Sequence, residues 1–549
     1  MTSLNDQGIY LLIFQAYTES SVESIYVATH DYMTRPDDDP SNQFFEGRLI
    51  SAGELKRSMF ENGGTVGKPG RTEGYFELSN ADGALDAWLD YGIGGWSFFL
   101  YYLPSRTASY ESRTLAFTGT LRGFTSDDLR KSIKMRIRDS LANLDRVFLT
   151  ETYAGTTNST GPTIEGDTAM LGQFKPYSIG TNIAVKAIPV NSFDLIYQGS
   201  YTSQFLVRPS DGGDVLISAG VDFPDIASLQ AATTGLAGSG ATIEAGEYAT
   251  CVAQGVCRLG AQPAKAVTIE LRSSGTVVNM SAGSVAKQIL LDGGVSPSDI
   301  DDASFDLLNN TAGRLGVGIY VDNDRSVLDV VCDALNAVSA TVVGRRDGKI
   351  AAVSLGTVPV TFSFNPIFED ETVIDTFTNE DLSSDSRFVL RATPDAEGDG
   401  VPAYAIRYRW GARDQLLSPG DCLSSLSPAF VEKLGKKYLD NTSTGNLGIL
   451  NQQPLAQFLT FETRLSDATG AVIQCQRRFD FYGTRRDYIT FTVSINRGGE
   501  LELGDIIIVQ PTDANGNPRY GYGVDGKRVC VIGLWHRFSN RTVEITAWG

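Results

Sequence analysis

The stretch Leu501-Glu-Leu-Gly-Asp-Ile-Ile-Ile-Val509 opens the part of the chain that decides its fold. A turn-rich segment follows it, then Cys530-Val-Ile-Gly-Leu-Trp535, the turn Ser539-Asn540, and Val543-Glu-Ile-Thr-Ala-Trp-Gly549. Apolar residues that alternate with polar ones between tight turns are typical of strands with one buried face. The pattern predicts three strands, and the last of them is expected to tie the end of the chain into a sheet.

Length and composition set the broad class of the protein. The chain has 549 residues, which is too long for one hydrophobic core and suggests about three to four domains. Hydrophobic residues make up 42% and charged residues 20%, as in ordinary soluble globular proteins. The 57 glycines and the aromatic content of 10% favour strands and tight turns over long helices. We therefore expect a mainly β, multidomain protein with α+β segments.

The formal net charge of −19 limits the partners that the surface can attract. Nucleic acids and anionic lipid surfaces bind proteins that have a surplus of Lys and Arg, so neither is an expected partner. The first residues lack the basic segment of a signal peptide. The longest apolar run, Ile93 to Leu103, is too short to span a bilayer and is interrupted by Gly and Ser. We expect synthesis in a cytoplasm and no stable membrane insertion.

The order of patterns along the chain predicts four regions. Residues 1–125 are expected to form a β-rich domain, and residues 126–280 a second one with a Gly/Ala-rich excursion at about 208–262. Helical and strand patterns mix in residues 281–385, which predicts an α+β domain. Residues 386–549 combine a helix with the terminal strands, and we expect a β-barrel there.

The most regular helical pattern begins at Asp324 or Ser326, either of which can cap a helix. Its apolar stripe consists of Val327, Val331, Leu335 and Val338, widened by Leu328 and Cys332. Other helices are predicted at Ala84 to Tyr91, Ser284 to Leu291, Ser298 to Leu308, Ser427 to Leu439 and Ser466 to Tyr482.

Several separate blocks resemble one family, the tail-tip (baseplate) hub proteins of long, non-contractile-tailed bacteriophages and related prophages. Gly499 to Ile506 has the form G-x-L-x-L-G-D-I, and Val543 to Gly549 has the form V-x-I-x-x-W-G. The further blocks follow the order found in the family and are Lys175 to Tyr201, Arg258 to Arg272, Val317 to Leu355 and Phe479 to Ile508.

The resemblance implies β-barrel or β-sandwich domains of the tail-hub type, arranged as a ring with an α+β insertion. It implies a homotrimer in the virion that closes the distal tail tube and contacts the distal tail protein, the tape-measure protein and the central tail fibre. A part in host attachment and genome delivery follows, with DNA only passing through the lumen. The acidic charge could line that lumen, although ordinary solvated surface is the favoured interpretation.

The two histidines offer little support for catalysis. His30 lies in Thr-His-Asp and His536 in Trp-His-Arg, and neither is near a nucleophile-elbow sequence. The six cysteines are expected to be free thiols, with Cys332 and Cys475 as small core residues. Only Cys251 and Cys257 are close in sequence, and their spacing leaves metal binding or pairing as a minor alternative. We expect no catalytic residue, no cofactor and no metal.

Three further patterns invite a ligand hypothesis. Gly63 to Lys68 has the wrong spacing for a phosphate-binding loop, and Pro69 follows the Lys. Asp513 to Asn517 contains parts of a calcium loop but is better interpreted as a hairpin turn. Asp299, Asp301 and Asp302 could bind an ion, although charge at a helix N-terminus is the favoured role.

Two alternatives to a structural hub stay open. A distal-tail or carbohydrate-binding tip protein could use Trp96, Tyr101 and Tyr102 to stack on sugars, although a buried strand is the favoured interpretation. A cell-wall hydrolase of the tail tip would use a pair of carboxylates, and 65 acidic residues make such pairs frequent by chance.

Overall fold

The computed structural model describes residues 8–18, 20–61, 64–126, 131–158, 163–234, 242–276, 278–311, 315–356, 372–382, 391–392, 401–443, 445–484, 486–510 and 526–549. Strands hold 41% of the residues and helices 21%, so the prediction of a mainly β protein with α+β segments is confirmed. None of the helices in these ranges is long and apolar enough to cross a membrane.

The strands alternate with short turns over most of the chain. In chain order they are β1 (Ile9–Tyr17), β2 (Val22–Ala28), β3 (Tyr32–Met33), β4 (Phe44–Phe45), β5 (Leu49–Ser58), β6 (Glu73–Ser79), β7 (Ser97–Leu103), β8 (Thr114–Ser126), β9 (Ser132–Arg138), β10 (Tyr177–Lys186), β11 (Ile188–Asn191), β12 (Ile196–Gln198), β13 (Leu206–Asp211), β14 (Asp214–Val215), β15 (Ile217–Asp222), β16 (Thr233–Thr234), β17 (Thr242–Ile243), β18 (Glu247–Cys251), β19 (Val256–Leu259), β20 (Val267–Arg272), β21 (Gly318–Val321), β22 (Ala340–Gly344), β23 (Ile350–Ser354), β24 (Val373–Thr378), β25 (Arg391–Ala392), β26 (Ala405–Trp410), β27 (Leu439–Thr442), β28 (Phe458–Glu462), β29 (Asp487–Ser494), β30 (Ile506–Gln510), β31 (Lys527–Arg537) and β32 (Thr542–Trp548).

The helices lie mainly in the second half of the chain. They are α1 (Ile226–Ala231), α2 (Ala282–Asp292), α3 (Asp302–Thr311), α4 (Val327–Asn336), α5 (Pro428–Leu434), α6 (Leu447–Gln452), α7 (Ala468–Tyr482) and α8 (Ile495–Gly498).

The largest sheet has 13 strands and includes the three predicted terminal strands. Its main order is β2-β1-β7-β8-β9-β6-β5-β31-β32-β29-β25, and β30 joins it between β24 and β31. The terminal strands β30, β31 and β32 pair antiparallel, as the alternation predicted. The main strand order ends at β2 and β25, and the branch through β30 ends at β24, so the described strands form an open sheet and the expected β-barrel is wrong for this part of the chain.

The sheet stays open because β31 divides its length between two neighbours. Its first residues pair with β30, whereas Gly533–Arg537 pair with β5 of the N-terminal region. A bulge between Val531 and Gly533 lies at this change of partner. The sequence placed β5 and β31 in the separate regions 1–125 and 386–549, and the structure joins these regions in one sheet. The domain boundaries themselves stay a prediction.

Two five-stranded sheets form the middle of the chain, in the orders β14-β13-β20-β10-β21 and β11-β12-β19-β18-β15. The α+β part follows, where α2, α3 and α4 pack with the β22–β23 hairpin in the same hydrophobic core as β29, β30 and β31. A continuous core of this kind makes the α+β part and the terminal strands one packed body.

The helix predictions differ in how well they match the structure. Ser326 caps α4 through the backbone N–H of Asp329, and the whole predicted stripe is buried. The short helix predicted at Ala84 to Tyr91 is present as a 3-10 helix and is confined to Asp86–Asp90. The helix predicted from Ser427 to Leu439 ends at Leu434, since Leu439 begins the edge strand β27.

The C-terminal end of α4 is held by side chains from two later elements. The guanidinium groups of Arg477 and Arg478 in α7 donate to the carbonyls of Val338 and Asn336, at 3.3 and 2.8 Å. The hydroxyl of Tyr408 in β26 donates to the carbonyl of Ala337. Cationic donors suit this position because the last carbonyls of a helix have no partner within it and carry partial negative charge.

Replacing Tyr408 with Phe removes one donor and leaves a buried carbonyl unsatisfied. We expect the free energy of unfolding to fall by about 1–3 kcal/mol, which thermal denaturation followed by fluorescence would measure as a lower melting temperature. Tyr404→Phe is the control, because the Tyr404 hydroxyl makes no hydrogen bond to the described residues. Equal stability of the two variants would contradict this role for Tyr408.

Candidate functional site: a buried charge cluster at the sheet seam

Three parts of the chain meet at the carboxylate of Glu502, in the turn before β30. One oxygen of this carboxylate accepts a hydrogen bond from Arg57 in β5, with 2.7 Å between Oε2 and Nη1. The other oxygen accepts from the backbone N–H of Arg346, in the turn between β22 and β23, at 3.1 Å. Glu502 therefore joins the N-terminal sheet, the α+β hairpin and the terminal strands through one side chain.

Arg57 lies on the inner face of the seam between β5 and β31, where only 1% of its side chain is exposed. Its guanidinium also donates to the carbonyl of Gly344 at 3.3 Å and lies 5.8 Å from the centre of the Phe117 ring. A charge that is removed from water in this way depends strongly on its counter-ion. The pair Arg57–Glu502 thus makes the docking of the hairpin and the terminal turn onto β5 specific.

The β22–β23 turn is also fixed from the N-terminal side. The backbone N–H of Thr118 in β8 donates to the carbonyl of Arg346 at 3.1 Å, and the Arg346 guanidinium donates to the carbonyl of Leu115 at 3.4 Å. The turn Arg346-Asp347-Gly348, which the sequence predicts as a hairpin, is therefore inserted between β8 and the terminal turn.

His536 in β31 lies on the same inner face as Arg57 and belongs to the same buried cluster. It is paired with Leu55 of β5, is 2% exposed and stacks on Phe538 with ring centres 5.8 Å apart. Burial, with the positive charges of Arg57 and Arg346 nearby, lowers the pKa of His536 to about 3. The ring is therefore neutral at ordinary pH and acts as a packed polar side chain.

The other side of the seam faces solvent and forms a groove of about 790 Å³. Its lining includes Lys56, Arg71, Trp535 and Glu544. The Arg537 guanidinium lies 3.8 Å from the centre of the Trp535 ring and also pairs with Glu544 at 2.7 Å. The indole N–H of Trp535 donates to Glu54, so both the ring and its polar group have partners within the chain.

The predicted histidine candidates do not form a catalytic group. His30 is exposed in a loop, and His536 is buried among cations rather than beside a nucleophile and a carboxylate. A general base has to be within hydrogen-bond reach of the group that it activates. That both histidines are structural stays a prediction.

Cys251 and Cys257 lie on the neighbouring strands β18 and β19 but on opposite faces. Cys257 pairs with Thr250, and paired residues share a face. Cys251 follows Thr250 in the strand and therefore points to the opposite face. The two thiols accordingly belong to two different hydrophobic clusters. Burial raises the pKa of both, so the thiolate that a metal needs is disfavoured. This geometry excludes a disulfide or a shared metal ion at this pair.

None of the six cysteines forms a disulfide within the described part of the chain, and all six are buried, as expected for the core positions Cys332 and Cys475. Within the described ranges, no three His, Cys, Asp or Glu side chains are grouped in a way that could hold a metal ion.

The remaining ligand hypotheses involve side chains that have protein partners. Asp301 pairs with Arg345 and Asp302 with Lys287, while Asp299 accepts from Ser298, so these carboxylates do not converge. Lys68, in the segment that superficially resembles a phosphate loop, pairs with Asp329. The segment Asp513 to Asn517 lies outside the described residues.

The aromatic residues proposed as a sugar surface are each half-buried. Tyr102 packs against Tyr10 and accepts a hydrogen bond from Arg541 at 2.8 Å, and Tyr101 stacks on Phe99. Trp96 immediately precedes β7, the strand that contains Tyr101 and Tyr102. The favoured interpretation as packing residues fits Tyr102 best.

No protein-family model matches the chain, and neither does any curated protein sequence. Solved structures do match. The tail protein from Neisseria meningitidis MC58 is 8% identical with a TM-score of 0.38, over 98% of this chain and 96% of that chain. The prophage tail protein gp18 from Listeria monocytogenes EGD-e is 8% identical with a TM-score of 0.39, over 98% and 94%.

A chain in the virion of a native gene transfer agent particle is 13% identical with a TM-score of 0.38, over 75% of this chain and 92% of that chain. The chain is thus similar to phage tail proteins of known structure, which is the class that its sequence resembles. Identities and TM-scores this low carry no argument about what the chain does.

Replacing Glu502 with Gln leaves the Arg57 guanidinium buried without a carboxylate. We expect a loss of about 3–5 kcal/mol in the free energy of unfolding, measured by denaturant unfolding. The double variant Arg57→Met/Glu502→Leu should lose less than the sum of the single variants. The matched control is Glu432→Gln, which removes an exposed ion pair with Lys436; an equally small loss in both carboxylate variants would contradict the role of Glu502.

The lowered pKa of His536 also predicts how the stability of the fold depends on pH. Unfolded His536 binds a proton near pH 6.5 but folded His536 only near pH 3, so stability is present above pH 6.5 and is lost as the pH falls through this window. The slope is at most about 1.4 kcal/mol per pH unit. His536→Gln should flatten the pH profile of the melting temperature between pH 6.5 and 3, whereas the exposed control His30→Gln should not. A profile that neither variant changes would refute this assignment.

Proposed function

We propose that the chain is a structural virion protein, the hub of a phage tail tip. In this proposal it closes the distal end of the tail tube and links it to the distal tail protein, the tape-measure protein and a central fibre. It takes part in host attachment and genome delivery, while DNA only passes through. Copies of the chain, three in the proposal, assemble as a ring.

Open sheet edges with apolar side chains support the assembly of copies. Val22 in edge strand β2 is 41% exposed, Ile217 in edge strand β15 is 68% exposed, and Ile374 in edge strand β24 is 57% exposed. Edge strands of monomeric proteins are usually protected by charges, prolines or covering loops. Exposed apolar side chains on several edge strands are expected for a subunit that has neighbours.

The cluster at Glu502 suits a structural role. Its charges pair with each other and bind backbone groups, and they leave no activated nucleophile or general base among the residues described around them. The groove above the seam contains Glu61 and Glu544, and Glu544 is bound to Arg537. We therefore propose that the chain has no enzymatic activity of its own.

The location is tested by immunogold electron microscopy of intact particles, with an antibody against this chain. The proposal expects gold at the distal end of the tail, and particles that lack the chain should have tails without a closed tip. Label on the capsid or along the tail shaft would overturn the proposal.

The absence of catalysis is tested on peptidoglycan zymograms with the purified chain. We expect no clearing. Clearing by the wild type that disappears in the variant Glu61→Gln/Glu544→Gln, but remains in Glu432→Gln, would replace the structural proposal with a wall hydrolase.

A further inference from the structure

The outer face of strand β9 is a basic surface in an acidic chain. The segment 129–138 has five Lys or Arg residues and no acid, although the net charge of the chain is −19. Ile133, Met135 and Ile137 point into the core, so Lys134, Arg136 and Arg138 lie on the opposite, outer face. We define the basic surface as Lys134 and Arg136 with the adjacent Tyr75 of β6, which is 37% exposed and is the ladder partner of Arg136.

A second exposed feature lies on the same face and has the opposite charge. The hairpin of residues 31–46 contains β3 and β4, and it exposes Asp37 and Asp39 near its tip. Met33 and Phe44 are cross-strand partners, and 55% and 46% of their respective surfaces are exposed. An apolar pair with carboxylates beside it complements cations that lie beside an exposed ring.

The hairpin is held in one shape before any contact with a partner. The Thr34 hydroxyl donates to the carbonyl of Pro40 and accepts from the N–H of Gln43, both at 2.7 Å. Asp38 is buried and accepts from the N–H of Arg35 at 2.6 Å. An element fixed in this way loses little conformational entropy when it binds.

Packing shows that the hairpin and the basic surface share one face of the sheet. Tyr32 and Phe45 of the hairpin pack with Ile9 and Leu11 of β1, whereas the inward residues of β9 belong to the cluster on the other side. Strands β1 and β9 are separated by β7 and β8, which places them roughly 14 Å apart at ordinary strand spacing.

The charges of the two features form no ion pair within the described part of the chain, although Glu77, the ladder partner of Lys134, lies on the same face as this lysine. Among the described residues, Lys134 and Arg136 form no ion pair, and Lys134 lies 5.0 Å from the centre of the Tyr75 ring. Asp37 and Asp39 likewise have no cationic partner in the described part of the chain. Both features are therefore available to a second molecule.

We infer that the hairpin 31–46 of one copy docks on the basic surface of β9 in a neighbouring copy. Asp37 and Asp39 then face Lys134 and Arg136, and Met33 and Phe44 cover Tyr75. A second copy is the occupant that accounts for both surfaces at once, because each chain carries both complementary halves. The hairpin and the β9 surface are different patches, so the contact is of the head-to-tail kind that gives a ring when the rotation between copies closes. The inference rests on the proposed function, since it supplies the contact between subunits of the hub.

Charge reversal and rescue on the purified full-length chain test this contact. Three proteins are compared with the wild type by sedimentation velocity: Asp37→Lys/Asp39→Lys, Lys134→Glu/Arg136→Glu, and the chain with all four changes. Each double reversal should weaken self-association by about tenfold or more, and the fourfold variant should return it close to the wild type. Association of the wild type should weaken as salt is raised.

The control is Glu432→Lys/Lys436→Glu, which reverses an exposed ion pair on α5 and should leave association unchanged. All reversed side chains are exposed, so unchanged melting temperatures would show that the variants fold. Self-association that ignores both double reversals, or that the fourfold variant does not restore, would overturn the inference, as would a chain that stays monomeric. Immunogold label at the tail tip in any of these cases would leave the proposed function standing.

Discussion

The pairing of β5 with β31 is the contact on which the rest of the structure depends. It joins strands from the two ends of the chain in one sheet, with Trp535 opposite Lys56 and Arg537 opposite Glu54. Because these strands are far apart in the sequence, their pairing costs loop-closure entropy before any contact between them forms. The buried pair Arg57–Glu502 and the packed ring of His536 lie directly below these strands and make the pairing specific.

The seam also explains why the α+β part has a fixed position. Its β22–β23 turn is bound to Glu502 on one side and to β8 on the other, and its buried helix α4 ends on donors from α7 and β26. The same sheet exposes apolar side chains on its edge strands β2 and β24 and cationic side chains on the outer face of β9.

The spacing of apolar residues was sufficient to predict an element where that element buries one face against segments close to it in the chain. The stripe from Val327 to Leu335, with Ser326 as its cap, gives α4 almost residue by residue, and strict alternation gives β29 to β32. The helix at Ser427 was extended too far because nothing local shows that Leu439 pairs with Trp410. Closure of the barrel was wrong for a similar reason, since β31 changes partner to a strand that begins the chain.

The charge cluster could not have been found in the sequence. Arg57 and Glu502 are 445 residues apart, and each lies in a segment whose polar residues look like ordinary surface. Only the fold shows that Arg57 lies on the inner face, where its charge needs a partner. The hairpin turn at Arg346 was predicted, whereas its role between β8 and Glu502 depends on that same long-range arrangement.

Hydrogen–deuterium exchange across the seam is the most direct measurement of the central claim that both ends of the chain form one sheet. The account predicts that the amides of β5 and of residues 533–537 in β31 are among the slowest to exchange, and that Glu502→Gln accelerates both sets together. Fast exchange of β5 beside protected β31, or acceleration of only one of them, would contradict it.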